Sequence, residues 1–142
     1  MVYEDDNASP ADHQELESRE PSVEDLVNLC RHLNREQANY IVVGGFAMRA
    51  VGYDRRTMDV DLLVDKDPEN ETRVYRALES LPDKAVLELA PGEVARYSVV
   101  RVADEIVVDL MKTACGIGYG EALDDIIYRE IDGVRIPFAS PR

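Results

Sequence analysis

Residues 57–64 alternate between polar and apolar side chains, and this alternation constrains the fold more than any other stretch of the chain. In a β-strand, residues i and i+2 lie on one face, so Asp59 and Asp61 are predicted to point the same way. The opposite face is predicted to enter the core and consists of Met58, Val60, Leu62 and Val64. Two adjacent carboxylates are unfavourable unless solvent, a base or a metal ion compensates them. This strand is therefore a candidate Mg²⁺ site.

A third acid occupies a similar position in a second predicted strand, residues 105–111. Asp109 lies between Val107 and Met111, on the face opposite Ile106, Val108 and Leu110. An isolated acid among so many apolar neighbours needs a partner. If this strand pairs beside residues 57–64, three carboxylates converge. Three carboxylates can hold two Mg²⁺ ions about 3.5–4 Å apart.

Two glycines, Gly44 and Gly45, follow an apolar strand predicted over residues 40–43 and precede a short helix predicted over residues 46–51. A strand that ends at two glycines and enters a helix presents backbone amides to an anion. Glycine also lets a phosphate approach closely, because no Cβ intervenes. The pair is neither a Walker A loop nor a Rossmann fingerprint, and an ordinary strand-to-helix turn is the alternative.

The remaining periodicity predicts a mixed α/β (α+β) fold, in which helices flank a mixed, mostly antiparallel sheet. Further helices are predicted to begin at Ser22, to begin at Pro68 and to span residues 121–128. Further strands are predicted over residues 87–89, 95–102 and 133–138.

The order of these elements resembles the nucleotidyltransferase superfamily, whose pattern is a Gly-Gly or Gly-Ser turn, a spacer, a DxD strand and an acid on a later strand. The matching residues are Gly44, Gly45, Asp59, Asp61 and Asp109. The string GGFA…GYDRRTMDVDLLV looks most like the bacterial minimal nucleotidyltransferases related to the abortive-infection toxins. Their Arg-x-Thr-x-Asp-x-Asp-like signature appears here from Arg55 or Arg56 through Thr57 to the two acids.

This resemblance implies an enzyme that moves a nucleotidyl group from an NTP such as ATP to an acceptor hydroxyl and releases pyrophosphate. The three acids would ligate two Mg²⁺ ions, and Asp109 would also help to deprotonate the acceptor. Gly44 and Gly45 would hold the β- and γ-phosphates. Further nucleotide-binding candidates are Arg56, Thr57 and Lys112. The acceptor, whether tRNA, protein or small molecule, stays open.

Charge is concentrated near the start of the chain. The formal net charge of the 142 residues is −13, and residues 1–21 hold seven acids and one base. Few large apolar residues occur in this segment, so we predict an acidic disordered tail over residues 1–21. A single nucleotidyltransferase-like domain is predicted over residues 22–142. The acidic balance argues against a broad basic face that grips nucleic acid.

No apolar run approaches the 18 residues of a membrane span, and the acidic start lacks the apolar segment of a secretory signal. Cys30 and Cys115 form no metal-binding spacing. We therefore expect a cytoplasmic protein with reduced thiols.

Two alternatives to an enzyme stay open. Proteins of the resembled group often continue into C-terminal helices that shape the acceptor site, and this sequence ends at Arg142, where such a helix would begin. The first alternative is thus a non-catalytic module, antitoxin-like or regulatory, that binds a partner protein in a toxin–antitoxin pair. The second is a Ca²⁺-binding protein, which would bind its ion without nucleotide.

Overall fold

The computed structural model describes residues 18–54 and 56–140. The helices are α1 (Val23–Arg35), α2 (Gly44–Ala50), α3 (Pro68–Leu78), α4 (Glu93–Arg96) and α5 (Tyr119–Ala122), with 3₁₀ turns at Ala85–Glu88 and Leu123–Asp125. The strands are β1 (Tyr40–Val43), β2 (Asp59–Val64), β3 (Val100–Ala103), β4 (Val107–Met111), β5 (Thr113–Ala114), β6 (Ile117–Gly118), β7 (Ile126–Ile131) and β8 (Val134–Ala139). Residues 1–17 of the predicted acidic tail, and Arg55 of the Arg-x-Thr-x-Asp-x-Asp-like signature, lie outside the described residues.

Six strands form one mixed sheet in the order β3-β4-β2-β1-β8-β7, and β5 and β6 form a separate hairpin. Within the large sheet, β2 runs antiparallel to β1 and parallel to β4. The β3–β4 and β7–β8 pairs are antiparallel, and the β1–β8 pair is parallel. The predicted fold class, a mixed and mostly antiparallel sheet with flanking helices, is therefore confirmed.

The two faces of the sheet carry different layers. One face packs against α1 and α3 and contains the main core, to which β2 contributes Val60, Leu62 and Val64. The other face has a smaller apolar cluster around Ile41, Val43 and Leu63, which the β5–β6 hairpin and α5 cover in part. Because side chains alternate along a strand, the acids of β2 and β4 share this second face. Of the helices in residues 18–140 that the structure describes, none has the length and apolar character to cross a membrane.

Local sequence signals explain the two long helices. Ser22 caps α1 through a capping box in which its hydroxyl accepts from the Asp25 amide and the Asp25 carboxylate accepts from the Ser22 amide. Pro68 occupies the first turn of α3, and Asp67 caps that helix by accepting from the Glu69 amide. Both predicted helix starts are confirmed.

One buried amide ties α3 to the strands that carry the site. The Asn70 side chain is buried, and its oxygen accepts from the Asn39 amide at 2.7 Å. Its nitrogen donates to the carbonyls of Asn39 and Asp65 at 3.0 and 2.8 Å. These bonds join the residue before β1 to the residue after β2, and so hold the β1–β2 pair at the end away from the acids.

Three predicted elements are wrong. Residues 87–89 are not a strand but overlap a 3₁₀ turn, and residues 95–102 divide between α4 and β3. The reason is tertiary: the buried Glu71 carboxylate accepts from the amides of Gly92 and Val94 and holds this segment in a helical turn. The predicted helix over 121–128 is wrong beyond Asp125, where β7 begins and pairs with β8.

One predicted core residue is also wrong. Met58 is 58% exposed, because β2 begins only at Asp59 and the residues before it are not in the sheet. Both cysteines are free thiols, Cys30 buried and Cys115 exposed.

Part of the segment assigned to the acidic tail contacts the domain. The Arg19 amide donates to the Glu105 carbonyl at 2.9 Å, and the Ser18 hydroxyl donates to the Asp104 carbonyl at 2.6 Å. The Arg19 guanidinium binds the Asp25 carboxylate at 2.7 and 2.8 Å and lowers the pKa of Asp25 to about 2. Packing against the domain therefore extends back to Ser18.

These contacts lead to a truncation prediction. A chain that begins at Ser18 should keep the Tm of the full chain, whereas a chain that begins at Ser22 should melt several degrees lower at neutral pH. A carboxyl with a lowered pKa stabilises the fold above its usual pKa of about 4, and this contribution is lost with Arg19. Thermal unfolding of the three proteins by circular dichroism checks this. Equal melting temperatures for all three would place the start of the folded domain at Ser22.

Candidate functional site

Asp59, Asp61 and Asp109 lie on one face of the sheet, where β2 and β4 run in parallel. The register places Asp61 directly opposite Asp109 and Asp59 opposite Val107. Each of the three acids offers a carboxylate oxygen, and these oxygens all lie within 4.8 Å of one another. The structure thus brings together the three acids that the sequence singled out, and Asp109 is on the same face as Asp61.

Arg101 is a fourth member of this cluster, and the sequence interpretation did not include it. It lies on β3 directly opposite Asp109. Its Nε and one terminal nitrogen donate to the two Asp109 carboxylate oxygens at 2.8 and 2.9 Å, and the same terminal nitrogen lies 3.3 Å from an Asp59 oxygen. The signal that could have found it is the same as for Asp109: a single charged residue between Val100 and Val102 in an apolar strand.

The electrostatic environment of the cluster raises the pKa of Asp61. Burial, and then the negative charges of Asp109 and Asp59, raise the pKa of Asp61 to about 7, although Arg101 acts in the opposite direction. Near neutral pH, Asp61 is therefore poised between its protonated and ionised forms. A cation that binds there would favour the ionised form.

Gly44 packs its backbone against the Asp61 carboxylate at the point where β1 passes into α2. Its φ is +71°, in the left-handed region that favours glycine. A Cβ on Gly44 would lie 2.2 Å from an Asp61 carboxylate oxygen, and a Cβ on Gly45 would lie 2.7 Å from the Thr57 Cβ. Both glycines are needed to let the start of α2 approach the acidic strand.

The other predicted nucleotide-binding residues are placed differently. Thr57 is buried, and its hydroxyl donates to the Asp59 carbonyl at 2.8 Å, which orders the entry to β2. Arg56 is exposed and forms an ion pair with Glu20 at 2.9 Å. Lys112 follows the end of β4, and its ammonium donates to the Ala95 carbonyl. The structure does not bring Lys112 to the acids.

A cavity of about 320 Å³ opens beside Gly44 on the acidic face of the sheet. Val43, Gly44 and Leu63 line it from the sheet side, and the β5–β6 hairpin contributes Cys115. The polar residues Glu121, Asp125 and Ser140 also line it. Gly44 therefore contacts both the acidic cluster and a mostly apolar space that is large enough for a small organic group.

The donor set fits a hard divalent cation. Three carboxylates on a rigid two-strand platform supply only oxygen ligands, which suit Mg²⁺, Mn²⁺ or Ca²⁺ better than a soft metal. Burial, and then the negative charges of Asp109 and Asp59, raise the pKa of Asp61, and a bound cation would offset the negative charge that Arg101 leaves unbalanced. The residues present therefore fit a bound divalent cation.

The chain resembles a solved structure in fold. It superposes on a putative nucleotidyltransferase from Thermotoga maritima with a TM-score of 0.57 and 18% sequence identity, over 84% of this chain and 77% of that one. No protein-family model matches this chain, and no curated protein matches it significantly. At this identity the likeness shows the fold, which is the predicted nucleotidyltransferase fold.

Gly44→Ala should destabilise the protein more than a glycine substitution at a site without a neighbour. Gly133 is the matched control, because its φ of +79° is similar and its Cβ would meet nothing within 4 Å. Both variants carry the left-handed strain, and only Gly44→Ala also pushes into Asp61, which should cost about 1–3 kcal/mol more. Urea denaturation measures the difference. Equal losses would show that the Asp61 side chain moves away freely.

The raised pKa of Asp61 predicts an unusual dependence of stability on pH. An acid whose pKa is higher in the folded than in the unfolded state favours the fold at low pH, and this contribution disappears as the pH rises. In metal-free buffer, the free energy of unfolding of the wild type should therefore fall relative to Asp61→Asn between about pH 4 and 7. Asp83→Asn, which removes an exposed carboxylate in the loop after α3, should follow the wild type. Parallel curves for the wild type and Asp61→Asn would contradict the assignment.

Proposed function

We propose that this chain is a Mg²⁺-dependent nucleotidyltransferase, which transfers a nucleotidyl group from an NTP to an acceptor hydroxyl and releases pyrophosphate. The observation that carries the proposal is the convergence of Asp59, Asp61 and Asp109 within 4.8 Å beside the glycine turn at Gly44. Each part is common by itself. Their combination on one sheet face, in a fold shared with a protein described as a putative nucleotidyltransferase, favours this chemistry over a structural role.

In this proposal the three carboxylates have different roles. Asp59 and Asp61 hold Mg²⁺ for the triphosphate, and Asp109 ligates a second ion and helps to remove the acceptor proton. Bound ions would supply positive charge to the phosphate oxygens while the acceptor oxygen bonds to the α-phosphorus and pyrophosphate leaves. The chain itself positions the reactants, since β2 and β4 fix the three carboxylates on a rigid platform.

The nucleotide contacts follow from the same geometry. The first amides of a helix have no acceptor within that helix, so the amides of Gly44 and Gly45 are proposed to hold the β- and γ-phosphates. Thr57 orders the loop between these glycines and the acids, and Arg56 is an exposed candidate for the triphosphate. The cavity beside Gly44 would accept the nucleoside or the acceptor. Lys112 is left out because it contacts the Ala95 carbonyl.

One observation favours the non-catalytic alternative. Both Asp109 oxygens are already engaged by Arg101, so the third carboxylate is satisfied without a metal ion. A module of this kind would keep the fold and act through a partner protein, as an antitoxin-like regulator. For both the enzyme and the non-catalytic module, we propose a relationship to the abortive-infection group and a cytoplasmic location. The acceptor and the preferred NTP stay open.

A binding experiment tests the function before an acceptor is known. Mg²⁺ and an NTP together should raise the Tm more than the sum of their separate effects, because each ligand improves the site for the other. Asp59→Asn and Asp61→Asn should abolish this synergy and leave the metal-free proteins as stable as the wild type or more so. Asp83→Asn serves as the control and should keep the synergy.

Pyrophosphate release then separates an enzyme from a binding module. With candidate acceptors present, the wild type should release pyrophosphate from at least one of the four NTPs, and the rate of Asp61→Asn should be about 10²–10³-fold lower. Synergy without release in the wild type would favour the non-catalytic module. Undiminished stabilisation in both Asn variants would move the nucleotide site away from the acids.

A further inference from the structure

We infer that Arg101 is an internal cation that holds Asp109, so that the protein without nucleotide binds one divalent cation, on Asp59 and Asp61, and not two. This inference rests on the proposed function and concerns how its metal site fills. It assigns a role to a residue that neither the acidic motif nor the glycine turn includes.

The geometry of the ion pair is that of a dedicated partner. The Arg101 guanidinium approaches Asp109 with two parallel bonds of 2.8 and 2.9 Å, the bidentate arrangement that makes such pairs strong and specific. The two side chains are only 15% and 7% exposed. Low exposure limits the screening by water and salt that makes surface ion pairs weak.

The backbone keeps Arg101 at this position. β3 is an edge strand of the sheet, and it pairs with β4 in a register that puts Arg101 opposite Asp109. The residues on both sides, Val100 and Val102, are buried in the main core and anchor the strand. The position of the guanidinium beside the acids is therefore set by the β3–β4 pairing and not by a flexible loop.

Charge balance then limits the number of ions. Once a bound cation has favoured the ionised form of Asp61, the three carboxylates and the Arg101 guanidinium sum to −2, which that single divalent cation neutralises. A second divalent cation would leave an excess of +2 in a half-buried site, which is unfavourable without further negative charge. The triphosphate of a nucleotide supplies that charge. The second ion is therefore expected to bind with the nucleotide, when Asp109 is shared between it and Arg101.

The contact between Arg101 and Asp59 supports the same order of cation binding. The Arg101 nitrogen that binds Asp109 lies 3.3 Å from an Asp59 oxygen, longer than its bonds to Asp109. Asp59 is also more open, with 30% of its side chain exposed against 7% for Asp109. A first cation is therefore expected on Asp59 and Asp61, away from the carboxylate that Arg101 approaches most closely.

Counting Mn²⁺ ions on the full-length chain without nucleotide tests this inference. The signal of free Mn²⁺ in electron paramagnetic resonance gives the number bound and their affinity. The wild type should bind one ion, whereas Arg101→Gln should bind a second ion at least about tenfold more tightly than the wild type does. Arg31→Gln, which removes an exposed arginine from α1 on the opposite face of the sheet, should bind one ion like the wild type.

Arg101→Lys covers the case in which Arg101→Gln does not fold. Lysine keeps the charge but cannot make two parallel bonds to a carboxylate, so its affinity for the second ion should lie between those of the wild type and Arg101→Gln. Two ions of similar affinity on the wild type, or no gain in either Arg101 variant, would overturn the inference and leave the proposed metal site standing. No Mn²⁺ bound to the wild type or to any variant would overturn both.

Discussion

A single row of paired residues across the sheet determines where the chemistry of this protein can be. Val43 pairs with Asp61, Asp61 pairs with Asp109, and Asp109 pairs with Arg101, so four neighbouring strands contribute one residue each. A slip of one residue in any of these pairings would turn a charged side chain into the main core and an apolar one onto the acidic face. The hydrophobic alternation of β2 and β4 therefore specifies the acidic cluster as strictly as it specifies the core.

The parts of the site that depend on local pattern could be predicted from the sequence. The shared face of Asp59 and Asp61 follows from strand geometry, and the isolation of Asp109 among apolar residues required a partner. What the sequence could not supply was the order of the strands, since that order depends on contacts between distant segments. Arg101 illustrates this limit. It supplies the positively charged partner that Asp109 needs, but only the β3–β4 register shows that the two residues lie opposite each other.

Two of the errors in the fold have a common physical cause. The strands predicted over residues 87–89 and 95–102 contain too few apolar residues in a regular pattern to separate a strand from a turn by period alone, and buried acids decide the outcome. Glu71 accepts from the amides of Gly92 and Val94, and Asp104 accepts from those of Asp83 and Ala85. The segments around these amides are thus held in place by side chains that are distant in sequence. These buried acids bind backbone amides, which distinguishes them from the acids of the site.

That distinction explains which carboxylates are available for chemistry. Glu71 and Asp104 are satisfied by several amide donors each, so their charge is balanced by the fold itself. Asp61 has no comparable set of donors among its described contacts, and its raised pKa shows that burial and like charges outweigh the help from Arg101. The fold therefore retains an unfavourable electrostatic free energy at Asp61 on β2, which a bound cation would relieve. Such a site gains stability from its ligand, and this coupling makes cation binding, nucleotide binding and folding measurable through one another.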